Sequence, residues 1–526
     1  MKDELDTPLD QPTASNALQP PVTAGAEVGK ERDLDNYQSA LKATGILGFT
    51  QVIRIAIRLV GTKVVALLLG PAGIGIIGLL RGTQTLASDV VNAGLSLSAV
   101  REIAAARGQD DRRAIEEVVI TLRRLIWSTG LIGTIAVFVF ARELSVWTFG
   151  DASYTYAFRV VSPAVLFTQL TAGYYVLLTG YRLFGLLAYV TIGGVIAGLV
   201  VSLPMYFWLG AEGIPYALLL MSIPPFFLAY YYSRIVGIER GVRVDWPTMW
   251  QRAKPMLKLG IATQVSLLIF SFSLLQIKIL VQNQLGLEAI GFFQAGWGIS
   301  TTYMVLVFRS MGSDYLPRLS KVVGENDKPK LVRLVNEQLH LVLLIATPLL
   351  GIAIVGAPWM VPILYSSEFG PAIPQIQWFA LGTILKVIVW PLSFVLLATE
   401  SSKWFLFTEI IGTAGIWVGT ILFLPSYGLD GIGLAFILTY AVYCLTVYPV
   451  VRRLISFRFD RLSVILSVVS VVFLGIVFWM MFMYGDELAV VIFAIVMVVV
   501  VTVGFGWRAD KLVNLRGMVR KKLFKK

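Results

Sequence analysis

The feature that most limits this chain is a succession of fourteen apolar segments, each about 20 residues or longer and separated by short polar connections. They run over 44–69, 75–99, 118–140, 157–179, 184–208, 214–236, 256–285, 289–316, 334–356, 372–399, 404–424, 432–451, 462–484 and 488–507. In hydrocarbon every backbone N–H and C=O must be satisfied within the chain, so segments of this length are helices. The expected fold is an all-α polytopic membrane protein of about 14 transmembrane helices. An even number of spans puts both termini on one side.

Charge placement tests that count. The connections on the N-terminal side and the two tails, counted with Arg234 and Lys258 at the adjoining span edges, hold 33 of the 44 Lys and Arg residues, whereas those on the other side hold only Arg142. Basic residues accumulate on the cytoplasmic side, so both termini are expected in the cytoplasm. The formal charge of +12 is therefore an orientation signal spread over short loops, and no nucleic-acid partner is expected. Cys444 is the single cysteine and His340 the single histidine, which leaves no intramolecular disulfide, no His- or Cys-rich metal centre and no Ser/His/Asp triad. No metal and no catalytic residue are expected, and the chain is expected to be a transporter and not an enzyme.

The spans fall into two copies. TQV at 50–52 recurs at 263–265, LGPAGIGII at 69–77 recurs as LGLEAIGFF at 285–293, and GIPYA at 213–217 recurs as GIGLA at 431–435. Each copy holds six spans, an even number, so both insert in the same orientation and form two six-helix bundles related by a parallel internal repeat. The expected organisation is a disordered acidic cytoplasmic tail (1–38), an N-terminal bundle (39–236), a cytoplasmic linker (237–255), a C-terminal bundle (256–453), an additional C-terminal hairpin (454–507) and a basic tail (508–526) that lies along the membrane.

Within this apolar frame stand cations that need a reason. A charge at mid-membrane costs about 2.5–3.5 kcal/mol on insertion scales, yet Arg54, Arg58, Lys63, Arg81, Lys278, Arg309 and Lys386 all lie inside spans. The only acids at comparable depth are Asp89 and Glu409. Such an excess suits a cavity that receives phosphate or another polyanion. Lys63 precedes Gly70 and Lys278 precedes Gly286 by nearly equal intervals, so the duplication predicts one lysine per half, facing each other across the pseudo-axis. Arg54 and Arg58 share a helical face, but Lys63 lies about 180° round from Arg54 and joins them only if the helix bends at Gly61.

Lys63-Val-Val-Ala66-Leu-Leu-Leu-Gly70-Pro71-Ala-Gly73-Ile-Gly75 resembles the first-hairpin pattern K-x-x-A-x-x-x-G-P-x-G-x-G of the polysaccharide repeat-unit flippases, Wzx or O-antigen translocase type, in the multidrug/oligosaccharidyl-lipid/polysaccharide (MOP) exporter superfamily. The resemblance implies a central cavity lined by spans one, two, seven and eight. It also implies alternating access that moves an undecaprenyl-diphosphate-linked oligosaccharide from the inner to the outer leaflet of a bacterial inner membrane, for surface polysaccharide assembly. Expected partners are that glycan lipid, membrane lipids, a polysaccharide polymerase and a chain-length regulator. No cofactor is implied beyond an H+ or Na+ gradient. Arg58, Lys63, Arg81 and Lys278 are the expected diphosphate ligands, Arg54, Arg309 and Lys386 secondary cavity cations, and Asp89 and Glu409 candidates for ion coupling. The alternatives on the same scaffold are a peptidoglycan-precursor flippase and a multidrug antiporter. A membrane polymerase or ligase would need longer outward loops than this chain has.

Overall fold

The structure is a computed structural model that describes residues 22–109, 111–236, 244–485 and 487–513. The chain opens with α1 (Val22–Asn92), α2 (Leu95–Gly108), α3 (Arg112–Val139), α4 (Ala141–Phe149), α5 (Thr155–Val161), α6 (Pro163–Gly180), α7 (Phe184–Leu209) and α8 (Ile214–Ser233). It continues with α9 (Trp246–Leu285), α10 (Leu287–Gly324), α11 (Lys328–Leu364), α12 (Ile373–Ala398), α13 (Ser402–Tyr427), α14 (Asp430–Ile455), α15 (Arg461–Tyr484) and α16 (Leu488–Val513). Among the described residues, eleven stretches are long and apolar enough to cross a membrane. Two of them, Gly45–Asn92 and Phe184–Ser233, each fold back on themselves and hold two spans. The polar seam helix α10 supplies the fourteenth, so the expected all-α, multi-pass fold is the one observed. Its exterior is apolar where lipid would lie, as at Phe207 (73% exposed) and Leu445 (75% exposed).

The turn inside α1 shows how sequence makes the hairpin. Gly70 sits at φ 61°, ψ −168°, a conformation closed to side-chain-bearing residues, and Pro71 opens the returning arm with its φ already set. Gly286 repeats this at φ 85°, ψ −178° between α9 and α10. Two further pairs stand 218 residues apart, against 216 for Gly70 and Gly286: Gly210 and Gly428 at φ 57° and 56°, and Arg182 and Glu400 at φ 55° and 53°. The duplication read from short sequence matches is thus a duplication of backbone conformation. Packing repeats as well. In the first half α1 lies on α7, α3 on α6, and α8 on both α6 and α7; in the second α9 lies on α13, α11 on α12, and α14 on both α12 and α13.

The halves join where the two hairpins cross. The arm of α1 after Gly70 runs along α10 so closely that a Cβ on Gly75 would lie 2.2 Å from Leu287 O, and one on Gly291 2.1 Å from Pro71 O. Small residues permit this approach of backbones, which is how helices associate in lipid. Gln294 Nε2 donates to Ile74 O at 2.7 Å beside the crossing. At the opposite end, where the described chain begins and ends, Gly94 meets Gly260.

Three expectations change. Residues 22–38, expected to be disordered, are the first turns of α1. Beyond Pro20-Pro21 they contain no proline, so the helix that holds the first span runs through them without a break. The second span stops at Asn92 instead of 99, because Ala93 (φ 45°) and Gly94 (φ 69°) turn the chain into the separate helix α2. Part of the linker, from Trp246, is the start of α9. Residues 1–21, 237–243 and 514–526 of the two tails and the linker lie outside the described residues.

The C-terminal hairpin of α15 and α16 packs on α11, with α15 also touching α12. A buried polar node fastens it. Asn336 Oδ1 accepts from Ser463 Oγ at 2.7 Å and from the Asp460 backbone N–H at 3.1 Å, and His340 Nε2 lies 3.0 Å from Asp460 Oδ1. Asn336→Ala leaves those buried donors unmatched and is expected to lower stability by about 1–3 kcal/mol, measured as a drop in the thermal unfolding midpoint. Gly291→Ala drives a methyl group into the backbone of the crossing and is expected to cost about 1–3 kcal/mol. Gly475→Ala, where a Cβ meets no atom within 4 Å, is the control that leaves the midpoint unchanged or higher.

Candidate substrate cavity and its cations

Arg54 and Arg58 are one helical turn apart on the first arm of α1, Arg81 is on the returning arm, Lys278 on α9 and Arg309 on α10. The folded chain links them. Arg58 is close enough to interact electrostatically with both Arg54 and Arg81, Arg81 with Lys278, and Arg54 with Arg309. None of the five is in an ion pair among the described residues. A buried Nε–H of Arg54 has no acceptor there either. Five cations from both halves, without carboxylate partners among the described residues, repel one another. An anion that bridges them removes the repulsion.

Lys278, 8% exposed, is anchored by a hydrogen bond from its Nζ to Gly78 O at 3.1 Å. That bond ties α9 to the returning arm of α1 and holds the ammonium beside Arg81. Lys63 is placed differently. Its Nζ donates to Pro362 O at 2.6 Å, at the carboxyl end of α11, where the last helical carbonyls lack intrahelical donors. The φ/ψ of α1 depart from helical only at Gly70, so Gly61 supplies no bend, and Lys63 stays about half a turn from Arg54. Lys63 and Lys278 thus contact unlike partners, α11 and the α1 arm, and the structure does not pair them across the pseudo-axis.

The two candidate coupling acids occupy different halves. Asp89 accepts a hydrogen bond from Ser271 Oγ at 2.5 Å, across the contact of α1 with α9. Glu409 accepts from Tyr443 Oη at 3.2 Å inside the second half. Glu409 and Lys386 line a single cavity of about 620 Å³ enclosed by α9, α10, α12, α13 and α14. Lys386 Nζ stands 5.8 Å from the Phe308 ring centroid and 5.4 Å from that of Tyr440. Sequence reasoning placed Lys386 among the secondary cavity cations, and the structure puts it in the wall of this second-half cavity. It missed Ser271, Tyr440 and Tyr443. A signal for the last two lay in the spacing of Phe436, Tyr440 and Tyr443 along one face of α14.

Helix α10 contributes to both regions. Phe308 lines the second-half cavity, and the next residue, Arg309, is exposed on the side that faces Arg54. About 100° of helical rotation separates the two side chains. Among the described residues no group of three or more His, Cys, Asp or Glu is disposed to hold a metal ion.

The profile of a family described as polysaccharide biosynthesis protein matches residues 64–374, more than half of the chain. The lipid III flippases of Escherichia coli (strain K12) and of Shigella flexneri are each 24% identical over 427 residues, covering 79% of this chain and 99% of theirs. Among solved structures, an inward-facing multidrug resistance MATE family transporter of the MOP superfamily superposes with a TM-score of 0.65 at 16% identity, over 78% of this chain and 94% of that one. The lipid II flippase MurJ in an inward closed conformation superposes with a TM-score of 0.63 at 16% identity, over 90% of this chain and 99% of that one. These likenesses place the two-bundle arrangement among known transporter folds. With the matched region spanning the crossed hairpins and most of the central cations, the chain belongs to the polysaccharide biosynthesis protein family.

Proposed function

We propose that this protein is a flippase that carries an undecaprenyl-diphosphate-linked oligosaccharide repeat unit from the cytoplasmic to the outer leaflet of a bacterial inner membrane, for surface polysaccharide assembly. It does so without enzymatic chemistry on the lipid. The observation that carries the reading is the run of five cations, Arg54, Arg58, Arg81, Lys278 and Arg309, drawn from both halves and without carboxylate partners. A diphosphate offers a compact double negative charge with several acceptor oxygens, and Arg guanidinium groups grip such oxygens bidentately. Family membership and the likeness to lipid III flippases support a lipid-linked glycan as the cargo. A multidrug antiporter, favouring organic cations, is disfavoured by the sign of the site.

In this reading the hairpin crossing closes the Gly70 end, and the cations wait at the seam that the two halves share. Because they are contributed by both sides, a bound diphosphate holds the halves together, and rocking of one bundle on the other exposes it to the opposite leaflet. Lys63 then serves the closure, through its bond to the α11 carbonyl, instead of the lipid. Asp89, whose bond to Ser271 crosses the α1–α9 contact, and Glu409 remain the acids to couple that rocking to an H+ or Na+ gradient.

Arg58→Gln and Lys278→Gln are each expected to weaken binding of undecaprenyl diphosphate by about tenfold or more, ~1.4 kcal/mol or above, in native mass spectrometry of the purified protein. Equal affinity in both variants would sink the diphosphate site. Lys63→Ala separates two roles of the same residue. It is expected to leave that affinity within about twofold of wild type while lowering transport of a glycan lipid into the outer leaflet of proteoliposomes, because the end closed by its bond opens too readily. Loss of lipid affinity in this variant would return Lys63 to the ligand set. Dissipating H+ and Na+ gradients with ionophores should abolish net transport, and transport that persists would remove Asp89 and Glu409 from any coupling role.

A further inference from the structure

The cavity of the second half is not used by the diphosphate, and its walls have a chemistry of their own. Its volume of about 620 Å³ lies within the range of about 300–1,000 Å³ found for small-molecule sites. Lys386 and Glu409 both line it, close enough to interact electrostatically yet not in ion-pair contact. The Lys386 ammonium has the rings of Phe308 and Tyr440 beside it and donates no hydrogen bond among the described residues. Glu409 Oε1 takes the Tyr443 hydroxyl, and its other oxygen accepts nothing there. Ser300, 4% exposed, lines the same space with a buried hydroxyl that has no partner. Trp297 adds another aromatic surface.

This combination selects a ligand. Lys386 supplies donors, Glu409 supplies acceptors, and the pair carries no net charge, so neither a free anion nor a free cation is matched. Adjacent hydroxyls of one molecule, accepting from the ammonium and donating to the carboxylate, are matched. The aromatic rings call for an apolar face on that same molecule. A pyranose ring has both, with hydroxyls around its rim and C–H bonds across its face. We infer that the second-half cavity is the sugar site of this protein, binding an uncharged pyranose between Lys386 and Glu409 and against the rings of Phe308 and Tyr440.

Position agrees with chemistry. The cavity and the cations share α10: Phe308 lines the cavity, and the next residue, Arg309, interacts with Arg54. The first sugar of a prenyl-diphosphate glycan is bonded directly to the diphosphate, so sugar and phosphate sites must be neighbours. The inference in this form rests on the reading of the central cations as the diphosphate site.

Native mass spectrometry of the full chain with undecaprenyl diphosphate, bare or bearing one N-acetylglucosamine, separates the two claims. Wild type is expected to bind the sugar-bearing lipid about tenfold more tightly than the bare one. Lys386→Met and Tyr440→Leu are each expected to lose that preference while keeping wild-type affinity for the bare lipid. A wild type without the preference, or two variants that both retain it, overturns the sugar site and leaves the diphosphate site standing. Wild type that binds neither lipid overturns the diphosphate reading instead. Saturation-transfer NMR with N-acetylglucosamine alone then decides the cavity: a signal from wild type that Lys386→Met lacks upholds it, and no signal, or an equal one from both, overturns it.

Discussion

The crossing of the two Gly hairpins is the contact on which the remaining geometry depends. Gly75 against Leu287 and Gly291 against Pro71 bring backbones together with no side chain between them. That fixes the returning arm of α1 beside α10, and with it the positions of Arg81 and Lys278. In lipid, apolar surface gives little drive for helices to associate, so close packing and interhelical hydrogen bonds must do it. The seam carries both kinds. A bulkier residue at either glycine would move the halves apart and dissolve the cation cluster that neither half forms alone.

The cluster itself is a stored instability. Lys278 is buried, each of the five has like charges for neighbours, and none is in an ion pair among the described residues. Proteins retain such arrangements where a ligand supplies the missing charge. Removing one cation therefore lowers affinity for that ligand while relieving repulsion in the free protein, so variants at these positions are expected to weaken binding more readily than folding.

Much of this was legible in the sequence, and the exceptions have physical reasons. Spans are set by hydrophobic length, so all fourteen could be placed, and the Gly-Pro turn at 70–71 announced its own geometry. The duplication was visible because turn glycines resist substitution when φ is positive, as at Gly70 and Gly286 or Gly210 and Gly428. The end of the second span was not legible, since Ala93 at φ 45° has no sequence signature. Neither was the rotation of Lys63 toward Pro362, which depends on α1 staying straight at Gly61. Depth along a helix can be counted from residue numbers, whereas the direction of a side chain depends on its packing. That is why the wall of the second-half cavity that Lys386 lines, with Phe308 and Tyr440 beside its ammonium, was not legible.

The placement of Phe308 and Arg309 on adjacent faces of α10 has a consequence for energetics. The helix is a wall of both regions, so any tilt that narrows the gap between Arg309 and Arg54 also reshapes the space around Lys386. Two ligand groups that share one movable wall are thermodynamically linked: whatever filling one region does to the affinity of the other is returned in equal measure. A cargo that carries both groups on one molecule would act on α10 at both faces, whereas a cargo with only one would leave half of that work undone. Discrimination between complete and incomplete cargo would then reside in the stiffness of a single helix.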